Sequence, residues 1–305
     1  VSRPRLAICV ATFRRALGLT RLVTSLRRQG QGPRASRFQL EVRVVDNSPE
    51  ASAEGLAREL GATLPFPLRY RHEPEPNIAR ARNAAIEIAP AEVLVFVDDD
   101  EVAASDWLER LLAGQESSGA DAVFGTVERE LPCACPRWIQ LGGFFASADP
   151  PSGSLTWNQT RTGNTLLLGS WCYDAGFRFD EGYGRTGGED VQFFARLTAA
   201  GAHLRGAPAA RVSETVEASR LNLRYLLRRD YRQGMTLSRI HGEGLRHPLV
   251  SFAGRVARGV IGLSAVFLGR IDQSARGLTD LARAVGGLQG WLAPRLSLNA
   301  LYTES

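Results

Sequence analysis

The chain contains no lysine, so every one of its 37 basic residues is an arginine. So complete a bias runs through the whole chain and identifies no single site. Other absences exclude more. Cys133-Ala134-Cys135 leaves one residue between its thiols, and the remaining cysteines, Cys9 and Cys172, stand far from it and from each other. That spacing excludes a zinc knuckle. Cys9 sits in an apolar run and reads as core, and a reduced protein is expected. Val1-Ser2-Arg3-Pro4-Arg5 lacks the apolar stretch of a signal peptide. Residues 259–269 hold eleven uncharged residues, short of the about 20 needed for a membrane span. There is no internal repeat.

What is present suits a folded protein. Of 305 residues, 44% are hydrophobic and 23% charged, enough for a core and without the signature of disorder. Charge is uneven. Residues 219–305 carry 13 arginines against five acids, a local +8, so the remainder is at −3 within the total of +5. The basic surplus points to an anionic partner for that third of the chain. The expected organisation is one α/β domain over 1–218 and a basic helical extension over 219–305.

Short apolar runs at 6–11, 41–46, 68–71, 93–97 and 122–127 read as strands. They alternate with helical patterns at 17–29, 51–60, 78–88 and 107–115. Such alternation predicts a mostly parallel sheet covered on both faces, with ligands beyond the carboxyl ends of the strands. After the first strand stands Ala11-Thr12-Phe13-Arg14-Arg15, with neither the Gly-x-Gly-x-x-Gly of a dinucleotide oxidoreductase nor the glycine-rich basic loop of a sugar nucleotidyltransferase. Residues 130–160 are irregular, a segment whose prolines and Gly142-Gly143 interrupt its aromatic residues. A strand at 165–168 and a helix over 189–200 follow, then helical stretches at 221–240 and 249–285.

Three constellations carry chemistry. Asp98-Asp99-Asp100-Glu101 follows the fourth strand. If the backbone stays extended there, Asp98 and Asp100 share one face and Asp99 turns away. Two carboxylates on one face suit a hard divalent cation bridging a diphosphate. Gly187-Gly188-Glu189-Asp190 opens a helix with a carboxylate pair that can cap it or serve as a general base. Asn77-Ile78-Ala79-Arg80-Ala81-Arg82-Asn83 places two arginines just inside a helix, on different faces, so at most one reaches a phosphate. Projected as one helix, 252–285 gathers Arg255, Arg258, Arg270, Asp272, Arg276, Asp280 and Arg283 on one side. Val256, Val260, Leu263, Phe267, Ile271, Leu278, Leu281 and Val285 fall opposite, with glycines dividing the helix into shorter ones. That pattern suits an anionic membrane surface or, equally, a helix pair packed on protein or at a homodimer contact.

Val10-Ala11-Thr12-Phe13-Arg14, Val44-Val45-Asp46-Asn47-Ser48, Asn77 to Asn83, Phe96-Val97-Asp98-Asp99-Asp100, Thr162-Gly163-Asn164 and Gly187-Gly188-Glu189-Asp190, in this order and approximate spacing, resemble the family 2 glycosyltransferases over about 5–235. Val212-Ser213-Glu214 and Arg228 to Gly234 are similar to the subgroup of succinoglycan-type glucosyltransferases. The resemblance implies the GT-A fold and an inverting transfer of one sugar from a nucleotide sugar, UDP-glucose by subgroup, to a lipid-linked acceptor. It implies that Thr12, Arg14 and Asp46 hold the uridine, with Arg82 near the base or diphosphate and Asn164 by the donor sugar. Asp98 would touch ribose or metal and Asp100 would be the main ligand of Mn²⁺ or Mg²⁺, with Asp99 beside them in the nucleotide-binding run. Glu214 stands where relatives often place a metal-binding histidine. Asp190 would be the base and Glu189 would orient the site or the acceptor. Arg229 and Arg232 lie where processive members carry Gln-x-x-Arg-Trp; the missing Trp favours single-sugar addition. The expected setting is cytoplasmic, at the inner face of the plasma membrane, with no nucleic-acid partner. The competing expectation is a non-catalytic carbohydrate-binding or assembly subunit on the same fold. Retention of both acidic groups argues against it.

Overall fold

The computed structural model describes residues 3–147, 149–184, 186–240, 246–265 and 270–292. They form two compact units. One comprises Val1–Glu130, Ser147–Arg185 and Glu189–Thr215, and the other Leu131–Ala146, Thr186–Gly188 and Val216–Ser305. The units interleave more than a boundary at 218/219 provides for, since 131–146 and the Gly187-Gly188 turn group with the C-terminal helices.

The first unit is built on an eight-stranded sheet in the order β3-β2-β1-β4-β7-β6-β8-β5. Its strands are β1 (Arg5–Thr12), β2 (Gln39–Asp46), β3 (Leu68–His72), β4 (Val93–Phe96), β5 (Glu101–Ala103), β6 (Ala122–Glu130), β7 (Thr165–Leu168) and β8 (Leu204–Thr215). The half from β3 to β4 is wholly parallel. Beyond it β7 runs antiparallel to β4 and β6, β8 runs parallel to β6, and β5 runs antiparallel to β8. Helices α1 (Ala16–Leu26), α2 (Glu54–Gly61), α3 (Ile78–Glu87), α4 (Trp107–Ser118), α6 (Ser170–Tyr173) and α7 (Glu189–Ala199) flank it, α5 being the short helix of the other unit described below.

Alternation along the strands divides the core into two layers. Leu6, Ile8 and Val10 of β1 and Val93 and Val95 of β4 pack with Leu19, Leu22, Val23 and Leu26 of α1 and Leu108, Leu111 and Leu112 of α4. Ala7, Cys9, Leu94 and Phe96 face the other way, onto the alanines of α3 and onto Phe193 and Phe194 of α7. Because α3 presents Ala81, Ala84 and Ala85 to the sheet, its axis lies close to β1 and β2. Both helices that border the acidic strand end are thus fixed by packing.

Two strands escaped the sequence pattern. β8, Leu-Arg-Gly-Ala-Pro-Ala-Ala-Arg-Val-Ser-Glu-Thr, has no sustained apolar alternation and contains Gly206 and Pro208. Its register with β6 jumps between Gly125↔Ala207 and Thr126↔Arg211, so the small residues 208–210 are accommodated as a bulge. β5 has only three residues and is made by the turn that the acidic run forms.

The second unit contains α5 (Arg137–Leu141), α8 (Leu223–Ile240), α9 (Arg246–Ser264) and α10 (Ile271–Leu292). The stretch 249–285 is therefore two helices, and the single-helix projection fails in a specific way. Val260, Ile261, Ile271 and Val285 are exposed, while Gly259 and Gly262 of α9 lie against Gly277 of α10. Likewise Gly286 and Gly290 of α10 lie against the backbone of Tyr231 and Met235 of α8. The glycines do not merely break helices; they let helix axes approach, and several bulky aliphatics are left outside. Two members of the expected basic face point inward: Arg283 bonds Asp230 and Gln233, and Arg276 Nε donates to Gly142 O at 2.6 Å. Phe267 lies outside the described residues. Among the described residues no helix is long and apolar enough to cross a membrane.

Candidate active site

The acidic run begins where β4 ends. Glu101 N donates to Asp98 O at 3.1 Å and Asp98 N donates to Glu101 Oε2 at 3.0 Å, closing a turn. The turn ends the extended geometry, so strict alternation of the aspartates fails. Asp99 and Asp100 both reach Arg15 Nη1, at 3.0 and 2.7 Å. Asp98 goes elsewhere, accepting from Arg82 Nη2 at 3.3 Å. Gly18 on α1 permits this approach, since a Cβ there would lie 2.6 Å from the carbonyl oxygen of Asp99.

Asp98 is enclosed by protein on several sides, yet 47% of its side chain is exposed, as expected of a group lining a recess. Burial raises its pKa, Arg82 opposes, and Asp100, Asp190 and Glu214 raise it further. Glu101 is pushed well above the ordinary range by burial and by Asp98, Asp100 and Glu214. It pairs across the strands with Glu214 in the β5–β8 register, and Glu214 also accepts from Arg129 Nε at 3.2 Å. Gly163 fits against this group: a Cβ there would lie 2.9 Å from Glu101 Oε1 and 3.0 Å from Asp98 Oδ2. Half-buried Arg161 has its pKa lowered by burial and by Arg129, against the pull of Glu101, Asp98 and Glu214.

Gly187 and Gly188 take φ values of 84° and 90°, open to glycine and strained for other residues. They lead into Glu189, the first residue of α7. Glu189 is buried and pairs with Arg82 Nη1. Burial pushes its carboxyl up to about 7, with Arg82 lowering and Asp190 raising it. Its Oε2 is buried and has no hydrogen-bond partner among the described residues. Asp190 Oδ1 accepts from Val191 N at 2.7 Å. Arg82 is buried, and its guanidinium also lies over the Phe179 ring, 5.7 Å from the centroid.

The other residues singled out by sequence have the following partners in the protein. Thr12 Oγ1 donates to Asp99 Oδ2 at 2.7 Å. Arg14, at φ 54°, points outward and grips Glu50 through Nε and Nη2 at 2.5 and 2.9 Å. Asp46 accepts from Ser48 N and Ala53 N at 2.9 and 2.6 Å, tying β2 to the start of α2. Asn164 accepts from Trp107 Nε1 at 2.7 Å and donates to Thr126 O and Ala210 O, both at 2.8 Å. In the helical unit, Arg229 donates to Phe144 O at 3.0 Å and to Asp230 at 3.1 Å, while Arg232 is exposed. Sequence reasoning gave no individual role to Arg15, Glu101, Arg129 or Arg161. Arg15 had a signal in the Arg14-Arg15 pair, but the left-handed backbone at Arg14 decides which arginine turns inward.

Among the described residues no group of three or more His, Cys, Asp or Glu stands ready to hold a metal. The donor chemistry nevertheless fits a hard cation. Asp98 and Asp100 are oxygen donors close enough to repel, and magnesium-type sites often take one or two carboxylates and complete their shell with substrate phosphates.

The chain and its fold are similar to known proteins. The model of glycosyl transferase family 2 matches residues 7–158. The succinoglycan biosynthesis protein ExoM of Rhizobium meliloti (strain 1021) is 36% identical over 247 residues, covering 78% of this chain and 77% of that protein. The chain belongs to glycosyltransferase family 2 and is a glycosyltransferase. Among solved structures, mannosyltransferase PcManGT from Pyrobaculum calidifontis, in complex with GDP-Man and Mn2+, superposes with a TM-score of 0.65 at 17% identity, covering 94% of this chain and 88% of that one. S. aureus TarS 1-349 in complex with UDP superposes with a TM-score of 0.54 at 15% identity, covering 96% and 92%. The fold is that of GT-A glycosyltransferases.

Proposed function

We propose that the chain is an inverting, divalent-cation-dependent glycosyltransferase. It would move one sugar from a nucleotide sugar, by subgroup UDP-glucose, to a lipid-linked precursor of a polysaccharide. One observation carries the mechanistic part: the acids that end β4 and those that begin α7 share one arginine, Arg82, although about ninety residues separate them. Two independent carboxylate groups at one sheet edge suit donor binding and base catalysis together, and a binding module has no need of the second. The relative's role in succinoglycan biosynthesis supports a polysaccharide precursor as acceptor. The neighbours' complexes with UDP and with GDP-Man and Mn2+ support a nucleotide-sugar donor and a divalent cation.

In the proposed reaction Asp190 takes the proton of the acceptor hydroxyl as that oxygen bonds to the anomeric carbon. The bond from that carbon to the diphosphate oxygen breaks on the opposite face, and the nucleoside diphosphate leaves. Buried Glu189 Oε2, with no hydrogen-bond partner among the described residues, is suited to accept from a second acceptor hydroxyl. Asp98 and Asp100 would hold the cation, with Glu214 near by; the bound ion would neutralise charge on the departing diphosphate. A positioned base contributes ~10²–10⁴-fold. Asp190→Asn should therefore lower turnover by about that factor while UDP affinity, measured by calorimetry, stays near wild type. Normal turnover in that variant would remove Asp190 from the role.

The helical unit supports a lipid surface. Its small residues face neighbouring helices and Val260 and Ile261 face outward, the arrangement favoured where the surroundings are apolar. Its chain segment is the basic one. Action at the inner face of the plasma membrane follows from that reading and from a lipid-linked acceptor.

A further inference from the structure

We infer that Arg82 is a positioning residue that ties the start of α7 to the acidic end of β4, and so places Asp190 for catalysis, rather than a contact to the nucleotide. The inference rests on the reaction proposed above and assigns Arg82 a different task from the one its sequence motif suggests. Its two terminal nitrogens are committed to different elements, Nη1 to Glu189 Oε1 and Nη2 to Asp98 Oδ1 at 3.3 Å. Phe179 covers the guanidinium, and only 9% of the side chain is exposed. A planar fork suits two carboxylates at once, which a point-charge ammonium does not.

The helix beneath it is held along its length. Asn77 caps its first turn, accepting from Ala79 N and Arg80 N at 3.0 and 3.2 Å. Asn83 and Phe179 exchange hydrogen bonds of 2.9 and 2.8 Å. Fully buried Arg43 reaches across from β2 to donate to Ala85 O at 2.9 Å, near the helix's other end. Such support is what a group needs if it is to fix others. Glu189 precedes Asp190 in the first turn of α7, directly after two left-handed glycines. With so permissive an entry, and with Phe193 and Phe194 holding the body of α7 in the core, the Arg82–Glu189 pair supplies the fixed point at its first residue. A misplacement of about 1 Å can cost ~10²-fold in rate.

The test uses the full chain, its transfer assay and UDP as binding probe. Arg82→Gln should lower kcat by ~10²-fold, with donor KM and UDP affinity changed by less than about threefold. Arg82→Lys, reaching one carboxylate, should recover part of the loss. The double variant Arg82→Gln/Glu189→Gln should lose no more than the worse single variant, because both break one pair. If Arg82→Gln does not fold, Arg82→Lys combined with Glu189→Gln carries the same cycle. Wild-type kcat with UDP affinity weakened about tenfold or more would overturn the inference in favour of a nucleotide contact. Fully additive losses would overturn it as well. Failure of the underlying reaction shows separately, as normal turnover in Asp190→Asn. In that event, additivity in the melting temperatures of the Arg82 and Glu189 variants still decides whether the tie exists.

Discussion

Asn164 is a motif residue whose side chain is bonded into the sheet. It adopts φ 62° and is fully buried. Its amide joins the indole of Trp107 to the backbones of β6 and β8 at the level of the bulge. The family resemblance places it beside the donor sugar, and the three hydrogen bonds of its side chain run into protein. Asn164→Ala leaves a buried indole N–H and two carbonyls with lost partners, at about 1–3 kcal/mol each before relaxation, and strains the left-handed backbone. The expected result is a clear drop in melting temperature with donor KM unchanged in whatever fraction stays folded. A raised donor KM at wild-type stability would restore the sugar contact. Arg82, Asp46 and Thr12 likewise bond protein groups here; residue type and order identify a family, whereas the bonds each side chain makes within the protein depend on a fold that spacing does not display.

At the scale of elements, the turn after β4 concentrates the site's electrostatics. Asp99 is pushed up to about 6 by burial, against Arg15 and the Thr12 hydroxyl and with Asp100 adding to the rise. Its folded pKa thus stands above the unfolded value near 4. Between about pH 4 and 6 the folded state holds more protons than the unfolded one, so this group makes stability fall as pH rises, by at most about 1.4 kcal/mol per unit. Asp99→Asn should flatten that part of the curve when urea unfolding is followed from pH 4 to 7. An unchanged slope would place the proton elsewhere. Strands β1, β2, β3, β4, β6 and β7 and helices α1, α2, α3, α4 and α7 were legible in the sequence, because their apolar residues recur at strand or helix period. β8 was not, since its inward residues are largely alanines interrupted by a bulge. The C-terminal helices were visible as helices, but their orientation was not. Periodicity assigns aliphatics to the inside, whereas here close axial approach through Gly259, Gly262, Gly277 and Gly286 decides the packing.

For the molecule as a whole, the segregation of charge and the exposed aliphatics bear on where it works. The +8 of residues 219–305 and the outward Val260 and Ile261 both belong to the helical unit. Full-length protein should therefore sediment with vesicles containing anionic phospholipid more than with purely zwitterionic ones. Val260→Asp/Ile261→Asp should weaken that binding markedly without altering the melting temperature, since neither side chain is buried. Binding insensitive to both lipid charge and the double substitution would remove the lipid surface from the proposal.

The two ends of the sheet have a further effect on how copies of the chain meet. An uncovered strand edge offers free N–H and C=O groups to any other chain, and proteins blunt such edges with charge or brevity. Here β3 carries Arg69 and Arg71, which reach back to Glu41 and Glu87, and β5 is three residues long. Neither end is a good template for strand addition from another copy. A second copy therefore finds little template for intermolecular β-pairing at either end of the sheet that carries the acidic site.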